Sequence, residues 1–301
     1  MCDLESRSAN RASQLIVENC QEFNDNDTRG GTKGGYVGKL SNAPGESTAI
    51  ANGLSQQIIH QMNLIIPNIL VSFDDLNIDA GEAAYPLVQL KAKQALQKAI
   101  QERRQTMVLN SGYRTIAQQF LLYKWYSGRS PVAPVGASNH QDGLALDIED
   151  PRGWEPYLMK YGWSPLPGDP PHFDFDPDGT QGTKELGKTA VLAFQQLWNK
   201  NNPGERIDED SDYLEGGETE SALSRSPAQG FAKAPWDDNP RLLRLSKPLM
   251  EGSDVLKLQQ KLNIGADGVF GSDTDKAVKE FQQKKNLTAD GIVGPKTWQA
   301  L

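Results

Sequence analysis

Residues 138–150 read SNHQDGLALDIED, and residues 169–175 read DPPHFDF. In the first stretch Leu144, Leu146 and Ile148 alternate with Ala145 and Asp147. In the second, Phe173 and Phe175 alternate with His172 and Asp174. A period of two with one greasy side predicts strands buried on one face, with polar residues on the other. Working outward, TMVLN (106–110) reads as a further strand. LSQQIIHQMNLII (54–66) reads as a helix ended by Pro67. A second helix is expected over 87–103, where Ala92, Ala95, Leu96, Ala99 and Ile100 fall on one face, and a third over TIAQQFLLYKWY (115–126). Short strands mixed with helices, without a βαβ rhythm, predict an α+β domain built on a small mixed or antiparallel sheet with flanking helices.

The polar faces of the two opening strands carry the chemistry. A His and an Asp seven residues apart cannot meet on one helix face. A turn at Gly143 can bring His140 beside a strand that carries Asp147 inward. His172, on the second strand, supplies a third ligand. Two imidazoles and one carboxylate leave a fourth position open on one zinc ion, the arrangement of a catalytic site. Zinc supplies hydroxide at neutral pH, and peptide hydrolysis also needs a carboxylate to move the proton. Asp169, three residues before His172, is placed for that task, and Asp174 is a candidate to orient a ligand imidazole. The remaining histidine, His60, sits in a helix with no partner motif and reads as structural.

The chain has 301 residues, room for two domains, and a hydrophobic content of 37% sufficient for a real core. No stretch approaches 18 consecutive apolar residues, so no membrane span is expected. The net charge of −8 and the pI of about 5.1 argue against nucleic acid as a partner. Most of that charge is local: Glu205 to Glu220 holds eight acidic residues and one Arg. Asp208, Asp210 and Asp212 alternate there as in a calcium loop. Tyr213, however, stands where that loop needs Gly, and Thr219 where it needs Glu, so the run reads as solvated. Cys2 and Cys20 make neither a disulfide framework nor a metal clip.

Residues 1–50, rich in Ser, Asn, Asp and Gly, are expected to be disordered, and no export signal is visible in them. A zinc-site domain is expected over 51–235, with its core at 70–176, then a linker at 236–244 and a tail domain at 245–301. The tail is repetitive: DGVFGSDTDKAV (267–278) matches DGIVGPKTWQAL (290–301). Each copy is an Asp-Gly turn followed by a helix start, which predicts an all-α, three-helix unit. A worn half-copy lies upstream at 186–223, where AVLAFQQ (190–196) echoes AVKEFQQ (277–283) and DYLEGGETESAL (212–223) echoes DGIVGPKTWQAL.

The pattern S-x-H-x-x-G-x-A-x-D (138–147), with D-x-x-H (169–172) and the upstream Ser111-Gly-Tyr113-Arg114, resembles a known family. It is similar to the zinc D-alanyl-D-alanine carboxypeptidases of the vancomycin-resistance type and to the related endolysins that cut L-Ala–D-Glu bonds. The resemblance implies His140, Asp147 and His172 as zinc ligands and Asp169 as general base. It implies that Arg114 binds the substrate carboxylate or the developing oxyanion, for which a guanidinium fork is suited; the alternative is a structural ion pair. Ser138, Tyr113 and Gln119 are further candidates to line the substrate site, the last two more as supports than as direct contacts. Many relatives carry Glu where Asp169 stands, which leaves the subclass open. Residues 245–301 resemble the peptidoglycan-binding three-helix domain, implying peptidoglycan stem peptides and cell-wall polymer as partners, and a place in the cell envelope or outside the cell. The expected activity is removal of terminal D-Ala from stem peptides. The alternatives are an L-Ala–D-Glu endopeptidase and a non-catalytic wall-binding protein with a vestigial zinc site.

Overall fold

The computed structural model describes residues 36–45, 47–129, 132–176 and 185–301. A five-stranded mixed sheet forms the centre. Its strands are β2 (Ile78–Ala80), β4 (Met107–Ser111), β5 (Ala145–Ile148), β6 (Trp163–Leu166) and β7 (Asp169–Phe175), in the spatial order β2-β4-β5-β7-β6. Only the β2–β4 pair is parallel. A two-stranded ribbon, β1 (Val71–Ser72) with β3 (Leu87–Val88), stands apart.

The sheet's greasy face is the one expected. Leu144, Leu146, Ile148, Phe173 and Phe175 are buried against α2 (Leu90–Arg103) and α4 (Pro151–Met159). A second core joins α1 (Asn52–Ile65), α3 (Ile116–Tyr126), α5 (Glu185–Asn201) and α6 (Glu218–Arg225). The α3 helix starts on a capping box, in which Thr115 Oγ1 accepts from Gln118 N and Gln118 Oε1 accepts from Thr115 N. That box fixes the chain direction immediately after Arg114.

Two expectations need correction. Residues 1–35 lie outside the described residues, as do Cys2 and Cys20, but order begins well before residue 50. Leu40 N donates to Ser226 O (3.0 Å) and Ala228 N to Gly38 O (2.8 Å), and this short ladder buries Leu40 completely. The stretch 236–244 is not a free linker either. Trp236 is buried under the Arg241 guanidinium, 3.6 Å from its ring, and Leu243 pairs with Val293 inside the tail. Apolar side chains inside a proline-rich stretch bind it down.

The tail comprises α7 (Ser253–Leu262), α8 (Ser272–Lys284) and α9 (Pro295–Ala300) around Val255, Leu258, Phe270, Val278 and Val293. Each turn is tied by a buried glutamine. Gln259 Nε2 donates to Asp267 Oδ1, Val269 O and Thr274 Oγ1, while its Oε1 accepts from Gly268 N. Gln282 repeats those bonds on Asp290, Ile292, Thr297 and Gly291. The upstream half-copy has the same clasp: Gln195 Nε2 reaches Asp210 Oδ1, Asp212 O and Thr219 Oγ1, and its Oε1 accepts from Ser211 N. The sequence alignment put Asp212 at the turn. The structure puts Asp210 there, with Ser211 at φ 66° where the tail copies have Gly268 and Gly291 at 77° and 78°.

Candidate metal centre

Three strands bring the site together. Ser111 of β4 pairs with Asp147 of β5, and Asp147 pairs with His172 of β7. These residues therefore form one row across the sheet. His140 enters from a 3-10 turn over Asn139–Asp142, which ends at Gly143 with φ 64°. An added Cβ at Gly143 would press on Leu70, so both backbone and space call for glycine there. Gly112 is required for a different reason: the Tyr85 carbonyl oxygen occupies the place a Cβ would take.

The inner atoms of the row lie close together. His140 Nε2 is 3.2 Å from His172 Nδ1 and 3.2 Å from Asp147 Oδ2, and His172 Nδ1 is 3.0 Å from Asp147 Oδ1. Both histidines are buried. The outer nitrogens have acceptors: His140 Nδ1 lies 2.8 Å from Gly112 O, and His172 Nε2 lies 2.8 Å from Asp174 Oδ1. A carbonyl and a carboxylate accept only, so each neutral ring carries its proton on the outer nitrogen. Two imidazole lone pairs and a carboxylate then face one another, an arrangement that calls for a cation between them. Tetrahedral zinc with bonds of about 2.0–2.2 Å sets its ligand atoms about 3.4 Å apart, close to the separations here. The donor set fits the metal.

The electrostatics agree. Burial raises the Asp147 carboxyl, but the two histidines and Arg114 outweigh it and hold the group well below its ordinary value. Burial lowers His140. Burial also opposes charge on His172, yet its bonds to Asp147 and Asp174 prevail and lift it to about 9. Asp174 stays ionised: burial raises it, while the His172 and Asn139 hydrogen bonds carry it below its ordinary value.

Asp169 begins β7. In a regular strand residues three apart point to opposite faces. Pro170 and Pro171 cannot donate to the ladder, and the β6–β7 register slips there, with Pro165 opposite Phe173 but Leu166 opposite Asp169. Asp169 is half-buried, and its carboxyl is raised first by burial and then by Asp147, with His172 and Arg114 opposing.

Arg114 is tied into the row. Its Nη2 donates to Ser111 Oγ (3.1 Å) and Asp147 Oδ2 (3.3 Å), and its Nη1 to Gln119 Oε1 (3.1 Å). Gln119 is buried and holds Arg114. Tyr113 does not reach the site: it lies in the second core with its hydroxyl on Met62 Sδ, 3.1 Å away. Ser138 is buried at the start of the His140 turn, and its side chain makes no capping bond. His60 is structural, with Nε2 3.0 Å from Asn239 O and its ring edge-on to Trp236. Sequence reading missed two supports. Asn139 had no signal of its own, and the Gly112 carbonyl could be found only through the S-G-Y-R motif.

The mixed sheet thus presents His140, Asp147 and His172, from its central strands and an adjoining turn, as a group that could hold a metal ion. Residues 88–161 match the family model of D-alanyl-D-alanine carboxypeptidase (VanY), and residues 251–301 match that of the peptidoglycan-binding domain. The two matches together support a peptidase directed at peptidoglycan. The first match spans Arg114, His140 and Asp147 and ends before Asp169 and His172, the second of which the sheet pairs with Asp147. No curated protein matches the chain.

Proposed function

We propose that the protein is a zinc-dependent D,D-carboxypeptidase that removes terminal D-Ala from peptidoglycan stem peptides, held at the wall by the module from residue 245 onward. The observation that carries this reading is the convergence of His140 Nε2, His172 Nδ1 and the Asp147 carboxylate, with both outer ring protons already committed. These three residues would hold zinc, which supplies Lewis-acid polarisation and a nucleophile at neutral pH. Asp169, raised toward neutrality by burial, takes a proton and passes it to the leaving amine. Arg114, with a rigid fork already oriented by Ser111 and Gln119, binds the free carboxylate of the terminal residue. Ser138 borders the same turn. Action on the wall places the enzyme in the cell envelope or outside the cell.

The test is a product assay on a purified pentapeptide stem, with chelator, with zinc restored, and with Asp169→Ala. Free D-Ala should appear, vanish with chelator and return with zinc. The variant should bind zinc and release at least 100-fold less product, in line with loss of a general base. Cleavage between L-Ala and D-Glu with no free D-Ala would replace this reading with the endopeptidase one. Absence of any product from the zinc-loaded protein would leave a wall-binding protein.

A further inference from the structure

The clasp at Gln195 shows that α5 and α6 copy the helix–turn–helix of the tail. A copy of a wall-binding unit invites the idea of a second grip on the wall. Its surroundings point elsewhere. The turn of this copy lies within the Glu205–Glu220 run of eight acids and one Arg, a poor surface for stem peptides that carry free carboxylates. The start of α5, meanwhile, is spent on the metal turn. Gly187 N, in its first turn, donates to Asp142 Oδ1 at 3.2 Å, and Asp142 stands two residues after His140. A helix N-terminus favours a carboxylate at that place. Leu186 and Ala190 of α5 are buried in the core that also holds Val135, Tyr113 and Ile116, so the helix is packed beneath the segments flanking the turn.

The turn is held from the other side too. Gln89 Nε2 donates to Asp142 O (2.8 Å) and Gln89 N to Gly143 O (3.0 Å). Asp142 is thus gripped by its backbone from Gln89, between β3 and α2, and by its side chain from α5. We infer that the duplicated unit serves as a brace for the peptidase site, with Asp142 as a positioning residue that fixes the His140 turn through the Gly187 amide. This rests on the metal-site reading above.

The test uses the full chain with Asp142→Ala and Asp142→Asn. Asparagine keeps an acceptor oxygen for Gly187 and alanine does not. Zinc affinity is measured by chelator competition, and hydrogen exchange is followed in peptides spanning 136–146 of the metal-free protein. The alanine variant should bind zinc about 10-fold or more weakly, the usual effect of losing an outer-shell contact, and should exchange faster in that segment while exchange in β4 stays unchanged. The asparagine variant should restore both. Wild-type affinity and exchange in the alanine variant, or equal losses in both variants, would overturn the brace. Failure of the wild-type protein to take up zinc would sink the metal reading alone, because the exchange comparison still decides the brace.

Discussion

His172 shows how one side chain's surroundings prepare a candidate metal site. Its Nδ1 faces His140 and Asp147, and its Nε2 is fixed by Asp174, which Asn139 Nδ2 in turn holds at 2.9 Å. Asp174 therefore selects the tautomer that leaves Nδ1 free to ligate. Asp174→Ala should weaken zinc binding by about 10- to 100-fold, with Asp174→Asn closer to wild type because an amide oxygen still accepts. Chelator competition measures this; an alanine variant with wild-type affinity would show that the ring is oriented by packing alone. Arg114 makes the structural ion pair weighed as its alternative, its Nη2 already donating to Ser111 and Asp147. Substrate must share that guanidinium with the sheet. The ligand triad itself was legible because alternation put His172 and Asp147 on polar faces of strands. Tyr113 packs in the core, as a support more than a contact, because a motif fixes spacing and leaves side-chain direction open. Asp142 carried no signal, as its partner Gly187 lies 45 residues downstream.

Among the elements, those with strong periodicity were readable and those punctuated by proline were not. β5 and β7 show clean alternation and formed as expected. β6 contains Pro165, and α4 contains Pro151, Gly153 and Pro156, so neither shows a clean period in the sequence. The α4 helix forms all the same, because Pro151 suits a first helical position and Asp150 caps the Gly153 amide. The upstream repeat is legible in its Phe-Gln-Gln helix but set two residues off at its turn, because Asp212 keeps the same spacing to Thr219 that Asp290 keeps to Thr297. The bond pattern decides it: Asp210 Oδ1 accepts from both Gln195 Nε2 and Asp212 N. The same clasp ties the last turn of the tail at Gln282. Gln282 is buried, and its loss would leave Gly291 N and the donors and acceptors around Asp290 and Thr297 to find new partners. Gln282→Ala should destabilise the tail by about 2–4 kcal/mol. Calorimetry of the full chain should show one transition moved down and the other in place; an unmoved tail transition would mean that water replaces the amide at little cost.

Across the molecule, α1 links the tail to the peptidase site. Gln56 Oε1 accepts from Glu251 N and Arg241 Nη1, both at 2.9 Å, and its Nε2 donates to Leu249 O at 2.7 Å. Arg241 also pairs with Asp254, at 2.9 Å, and stacks on Trp236. One residue earlier on α1, Ser55 Oγ meets Thr115 Oγ1 at 2.8 Å, beside Arg114. The tail is thus docked on the helix that backs the site, and a titratable group sits at the joint. Burial first, and Asp267 second, raise Glu251 from its ordinary 4.5 to about 7, against the pull of Asn52 and Arg241. Tyr85, buried nearby, is itself raised by burial and by Glu251. The folded joint therefore keeps a proton that the unfolded chain releases. Stability from this group is complete below pH 4.5, declines as pH rises and is gone above about 7. Glu251→Gln keeps the neutral form at every pH. Its unfolding free energy should match wild type near pH 4.5 and exceed it near pH 8 by on the order of 2 kcal/mol, after allowance for solvent screening at a part-exposed joint. Urea unfolding at the two pH values measures the difference. A gap that stays constant with pH would show that Glu251 ionises freely and that the docked tail is indifferent to acid.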